Sequence, residues 1–202
     1  MSASEPVAGP RTIDLRTIYL PPFRVDLEVR PGVPRLLPAA ALARTLVAAL
    51  RAGGAPEPAS VGLILAADAE LAALNADHMG AAGPTDVLSF PLLPPEAFPP
   101  HAGGPARSGA AAGATRDAGP AFLLPPGTRL HLGDVVVSVE RAVEQAEAGR
   151  GGQTGDVRWS AANELRLLVV HGGLHLCGWD HAEPAEGAAM RALERRILAE
   201  AG

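Results

Sequence analysis

The stretch ELRLLVVHGGLHLCGWDH, residues 164–181, decides the reading of this chain. Leu165, Leu167, Leu168, Val169, Val170 and Leu174 cover several faces of a helical wheel, so one long central helix, from about Val157 to Cys177, is expected to be buried. Gly178 stops it, since glycine can take the left-handed conformation that turns the chain. His171 and His175 are four residues apart. On a helix they share one face, with β-carbons roughly 6 Å apart. The turn at Gly178 then lets His181 swing back toward them. A lone buried histidine is usually a hydrogen-bonded core residue, but three with a glycine hinge between them fit a metal far better. The donor set His171, His175 and His181 suits zinc, one Zn2+ per chain. Three protein ligands leave a fourth position to water, whose pKa the ion lowers toward ~7.

The neighbours of these histidines carry readings of their own. Cys177 falls out of phase with the pair and reads as packed. Asp180 could orient a ligand imidazole or cap the turn, and both readings stand. Gly172 and Gly173 each cost ~1 kcal/mol relative to alanine inside a helix. Close approach of backbone or substrate would justify that cost, and so would chain packing.

Outward from this helix, strands and helices alternate. Thr12 to Arg30 holds two β-branched stretches around Pro21 and Pro22, read as two strands or one bent strand. Pro38 to Arg51 is helical by the spacing of Leu42, Leu46, Val47 and Leu50. Val61 to Ala66 reads as a buried strand, and Asp68 as the cap of a helix reaching about His78, with Leu71 and Leu74 inward. Val87 to Phe90 is a short strand ended by Pro91. Order resumes at Leu130, with a strand over Val135 to Val139, a helix over Arg141 to Arg150 and a last amphipathic helix over Ala185 to Ala199. Between them, 23 of the 34 residues at 94–127 are Pro, Gly or Ala, too few large apolar groups to offset ordering entropy. This segment is expected to be a flexible insertion in a single domain spanning 1–202. The mixture of elements implies an α+β or α/β fold.

Composition narrows the setting. Hydrophobic residues make up 48% but aromatics only 3%, so helices and strands built from Ala, Leu and Val must supply the core. The formal charge is −5, which argues against a broad nucleic-acid surface but leaves room for a local basic groove. All 17 basic residues are arginine. A single cysteine excludes an intrachain disulfide and fits a reducing compartment. Met1 to Arg11 shows no signal pattern, and no apolar run reaches the ~18 residues that span a bilayer. A cytoplasmic protein without a membrane partner is expected.

The spacing of His171, His175, Gly178 and His181 matches the metzincin protease pattern, which requires glutamate after the first histidine as general base. That position is Gly172, so a metzincin-like zinc protease is the weaker reading. The same segment resembles the signature of the YbeY-type endoribonucleases, the rRNA maturation factors, with Trp179 where tyrosine is more usual. PTDVLSFP at 84–91, LGDVVVS at 132–138 and Leu74-Asn75 are similar to further family motifs, in the same order. The resemblance covers about residues 60 to 200 apart from the insertion. It implies an α+β fold with helices packed around a small mixed β-sheet, and zinc on the three histidines. It also implies cleavage of single-stranded rRNA, in maturation of the small-subunit 3′ end and in ribosome quality control, with the ribosome or its subunit as partner. The rival of another class is a non-catalytic ribosome-assembly factor with a structural zinc. No catalytic side chain is assigned: Asp86, Ser89 and Asp134, at strand ends, read as structural. One departure bears on activity, because the position where family members carry an arginine is Met79, which cannot pair phosphate. Met79→Arg is therefore expected to raise the rate of RNA cleavage, and an unchanged rate in a gel assay removes the idea.

Overall fold

A computed structural model of the chain describes residues 12–80, 83, 85–104, 129–149 and 160–200. The N-terminal stretch forms a hairpin of β1 (Asp14–Leu20) and β2 (Phe23–Val29), with Leu20 opposite Phe23. Alternation in β2 sends Phe23, Val25, Leu27 and Val29 into the core. Helix α1 (Ala39–Ala52) leads to β3 (Ala59–Ala66), which lies parallel to β2. After α2 (Asp68–Met79), β4 (Val87–Pro91) pairs antiparallel with β5 (Leu130–Ser138), and β5 lies parallel to β3. The result is one mixed five-stranded sheet in the order β1-β2-β3-β5-β4. Helices α3 (Val139–Glu147), α4 (Ala161–Leu176) and α5 (Pro184–Glu200) complete the described chain. The fold is α+β, as expected.

The two faces of the sheet are used unequally. Leu63, Leu65, Val135 and Val137 point to the main core with α1, α4 and α5, while Val136 points to a smaller cluster with Ala66 and Leu71. Helix α2 thus covers part of the opposite face, and α4 lies at the centre of the main core. Gly172 and Gly173 explain how closely it sits. A β-carbon on Gly172 would lie 2.5 Å from Val135 Cγ1 and 2.9 Å from Val87 Cγ2. One on Gly173 would lie 2.9 Å from Leu46 Cδ1 of α1. Chain packing therefore accounts for both glycines.

Several boundaries differ from the sequence reading, for local reasons. Asp68 is the first residue of α2 and Ala67 its cap. The Asp68 carboxylate instead accepts the Ser138 hydroxyl and pairs with Arg141 at 2.9 Å, tying α2 to α3. Val139 opens α3, because Ser138 Oγ accepts the Arg141 backbone N–H at 3.1 Å. Helix α4 starts at Ala161, where Ser160 Oγ accepts the Asn163 N–H, and residues 157–159 lie outside the described residues. The segment expected to be flexible from residue 94 is packed through Gly104: Pro95–Ala97 make a 3-10 turn, and Phe98 is buried. The remainder of that expected insertion, 105–127, lies outside the described residues, as does Arg150, the expected end of the helix from Arg141.

Glu164, near the start of α4, is 1% exposed, and among the described residues neither of its carboxylate oxygens has a hydrogen-bond partner. Burial, with the Asp86 charge added, pushes its carboxyl from the ordinary 4.5 up to about 7. The folded chain then binds this proton more tightly than the unfolded one, so stability falls as pH rises from about 4.5 to 7 and levels off above. Glu164→Gln is expected to raise stability at pH 8 by about 1–3 kcal/mol and to change it little at pH 4.5. Thermal melts at the two pH values check this, and equal shifts at both would contradict it.

Candidate metal centre

The C-terminus of α4 and the loop after it build the site. Cys177 caps the helix, and Gly178 follows with φ +80°, where an L side chain would be strained. The Gly178 N–H donates to the His175 carbonyl at 3.0 Å and the Trp179 N–H to the Leu174 carbonyl at 3.2 Å, a Schellman turn that reverses the chain. His181 is thereby returned to the end of α4. His171, His175 and His181 come together with one ring nitrogen from each within 4.8 Å of the others. Among the described residues this is the one cluster with metal-ligand geometry. His171 is 8% exposed, His175 is half-buried and His181 is exposed, so the cluster opens outward from the core.

The outer nitrogens are fixed by partners that leave the inner ones free. His171 Nδ1 meets Glu194 Oε1 of α5 at 2.7 Å, and His175 Nδ1 meets the Trp179 carbonyl at 2.8 Å. Assigning the proton to Nδ1 in each ring leaves both Nε2 lone pairs facing one another, 3.0 Å apart. Burial holds the His175 imidazolium down to about 4, with His171 and His181 adding to the effect, so this ring is neutral at pH 7. Neutral imidazoles with converging lone pairs are what a divalent cation requires, and the residues present fit one.

The remaining neighbours settle the open readings. The Asp180 carboxylate accepts the His181 backbone N–H at 2.7 Å, which holds its pKa below the usual carboxylate range; it caps the turn. Cys177 is buried against Gly53, and burial pushes its thiol up to about 12, so it is packing. Ser89 donates to the Gly172 carbonyl at 2.9 Å and Asp86 accepts from Gln145 at 2.9 Å, both structural bonds. Asp134 lies across Gly62 on the sheet, away from the cluster.

Sequence reasoning missed Glu194, Glu186 and His101. Glu186 Oε1 accepts the Asp180 N–H at 2.8 Å and meets His101 Nε2 at 2.6 Å. His101 also stacks on Trp179, with ring centroids 4.1 Å apart, so the 94–104 segment is latched onto the histidine loop. The available signal was helical phase: Glu186 and Glu194 share the buried face of α5 with Met190, Leu193 and Ile197. Two acids on an apolar stripe need partners.

The family model described as Endoribonuclease YbeY matches residues 38–202. The protein of that name from Roseiflexus sp. (strain RS-1) is 35% identical over 176 residues, 86% of this chain and 90% of the relative. The Moorella thermoacetica protein is 39% identical over 161 residues, 80% of this chain and 85% of its own. The Salinispora tropica protein is 45% identical over 130 residues, 64% and 66% of the two chains. A match that runs from the start of α1 to the last residue, and holds along most of these relatives, places the chain in the YbeY endoribonuclease family.

Proposed function

We propose that this chain is a zinc-dependent endoribonuclease specific for single-stranded RNA, acting on rRNA at the small-subunit 3′ end and in ribosome quality control in the cytoplasm. The observation that carries the reading is the convergence of His171, His175 and His181, with the outer nitrogens of the first two held by Glu194 and Trp179, in a chain of this family. His171, His175 and His181 would hold one zinc ion. The bound ion would supply Lewis acidity toward a phosphate oxygen or a water. The chain's own residues do the rest. Glu194 fixes the orientation and tautomer of the His171 ring, and the Gly178 turn presents His181 from the open side. Helix α4, locked between sheet and α1, keeps His171 and His175 in register.

The rival reading, a non-catalytic assembly factor with structural zinc, calls for a fourth protein ligand. Among the described residues three ligating side chains come together, which favours the open, catalytic arrangement. A metzincin-like protease has the wrong residue at 172, and the packing there has no room for another. No helix among the described residues is long and apolar enough to cross a membrane.

Purified protein should carry one zinc per chain and cut single-stranded rRNA fragments in a chelator-sensitive way. His171→Ala should lose both zinc and cutting, and cleavage that persists in zinc-free protein would sink the proposal. Glu194→Gln should leave the fold intact and weaken zinc affinity or activity by about 10- to 100-fold. Competition with a metal indicator measures this, and wild-type affinity together with wild-type activity would show that Glu194 has no such role.

A further inference from the structure

Helix α5 touches the histidine cluster twice, and an arginine stands between the two contacts. At 100° per residue, Gly187, Arg191 and Glu194 fall on one side of the helix. Glu194 reaches His171. Gly187 abuts His181: a β-carbon built on it would lie 3.4 Å from His181 Cβ and 3.3 Å from Arg191 Nη1. The Arg191 side chain therefore leans back one turn, as helical side chains do, and its guanidinium lies over Gly187, the residue that abuts the His181 Cβ. The absent side chain at 187 is what leaves it that space.

This cation is also uncommitted. Arg16, Arg24, Arg30, Arg35, Arg51 and Arg141 each meet a carboxylate. Arg191 is exposed and has no ion pair or hydrogen bond among the described residues. The acid nearest in sequence, Glu194, is engaged with His171. The chain as a whole carries −5, so an RNA strand approaching the cluster needs a local cation to offset general repulsion. A guanidinium fork matches two phosphate oxygens at once.

We propose that Arg191 grips the scissile phosphodiester of the RNA, holding it against the open side of the His171–His175–His181 cluster. This rests on the endoribonuclease reading above. Arg196 supplies the control. It carries the same charge on the same helix, roughly 140° round from Arg191. It lines a separate groove with Trp179, Ala189 and Leu193.

The test uses full-length, zinc-loaded protein with Arg191→Ala, Arg191→Lys and Arg196→Ala. Cleavage of a single-stranded rRNA fragment gives kcat/KM, and binding to a phosphorothioate version of the same RNA is followed against salt. Arg191→Ala should lose at least about 10-fold in kcat/KM with zinc content unchanged, Arg191→Lys should recover only part, and Arg196→Ala should stay within about 2-fold of wild type. The slope of log Kd against log salt should shrink by about 0.7 in Arg191→Ala, one phosphate contact to a single strand, and hold in Arg196→Ala. Where the wild type cuts RNA, both changes are required, and either one missing overturns the assignment while the nuclease reading stands. Should the wild type cut nothing, the nuclease reading fails and the salt slope alone decides: a smaller slope in Arg191→Ala keeps Arg191 as a phosphate-gripping residue, and an unchanged one removes it.

Discussion

The site depends on how closely α4 can approach the elements around it. Gly172 faces the sheet and Gly173 faces α1, and a methyl group at either position would come within 3 Å of side-chain carbons. Helix separation is set by the side chains at the contact, so larger residues here would push α4 outward from the sheet or from α1. His171 immediately precedes the pair and would move with the helix. Its bond to Glu194 spans two different helices at 2.7 Å, and a displacement of an ångström would break it. The cost of two glycines inside a helix, ~1 kcal/mol each, is offset by the apolar contacts that α4 makes on both sides.

That close packing also sets the electrostatics. A half-buried His175 with two imidazoles beside it resists protonation, and its outer nitrogen is tied to the carbonyl of Trp179. The carbonyl is in place because the Schellman turn at Gly178 reverses the chain within two residues of the helix end. The same turn that ends α4 therefore orients the second histidine and returns the third. Backbone geometry, more than any side chain, makes the three rings converge.

What could be read in the sequence was whatever local periodicity encodes. The long apolar run placed α4 at the centre, the i, i+4 spacing put His171 beside His175, and Gly178 marked the turn. The β-branched stretches around Pro21 and Pro22 were legible as strand, but only their antiparallel pairing makes them two strands rather than one bent strand. What could not be read depends on contacts made across long separations. Glu194 lies 23 residues from His171 and is joined to it only because α5 packs against α4. The residues from Pro94 to Gly104 looked unstructured because Pro, Gly and Ala dilute the signal, yet Phe98 fills the core and His101 stacks on Trp179. Asp68 looked like a cap because aspartate usually is one near a helix start, but a serine at the end of β5 and an arginine of α3, some 70 residues on, claim its carboxylate.

The two buried acids of α5 divide the work of building the site. Glu186 touches no histidine of the cluster: it takes the Asp180 N–H and His101, and so fixes the loop that carries His181. Glu194 touches His171 directly and leaves the loop alone. One acid acts on the loop's position and the other on a ring's orientation, while both are buried in the same helix face that closes the core through Met190 and Ile197. The last helix cannot dock without presenting both carboxylates, and neither carboxylate is satisfied unless the loop and the histidines are in place. Completion of the core and assembly of the candidate metal centre are therefore one event, which explains how an exposed residue such as His181 can be held in position without burial of its own.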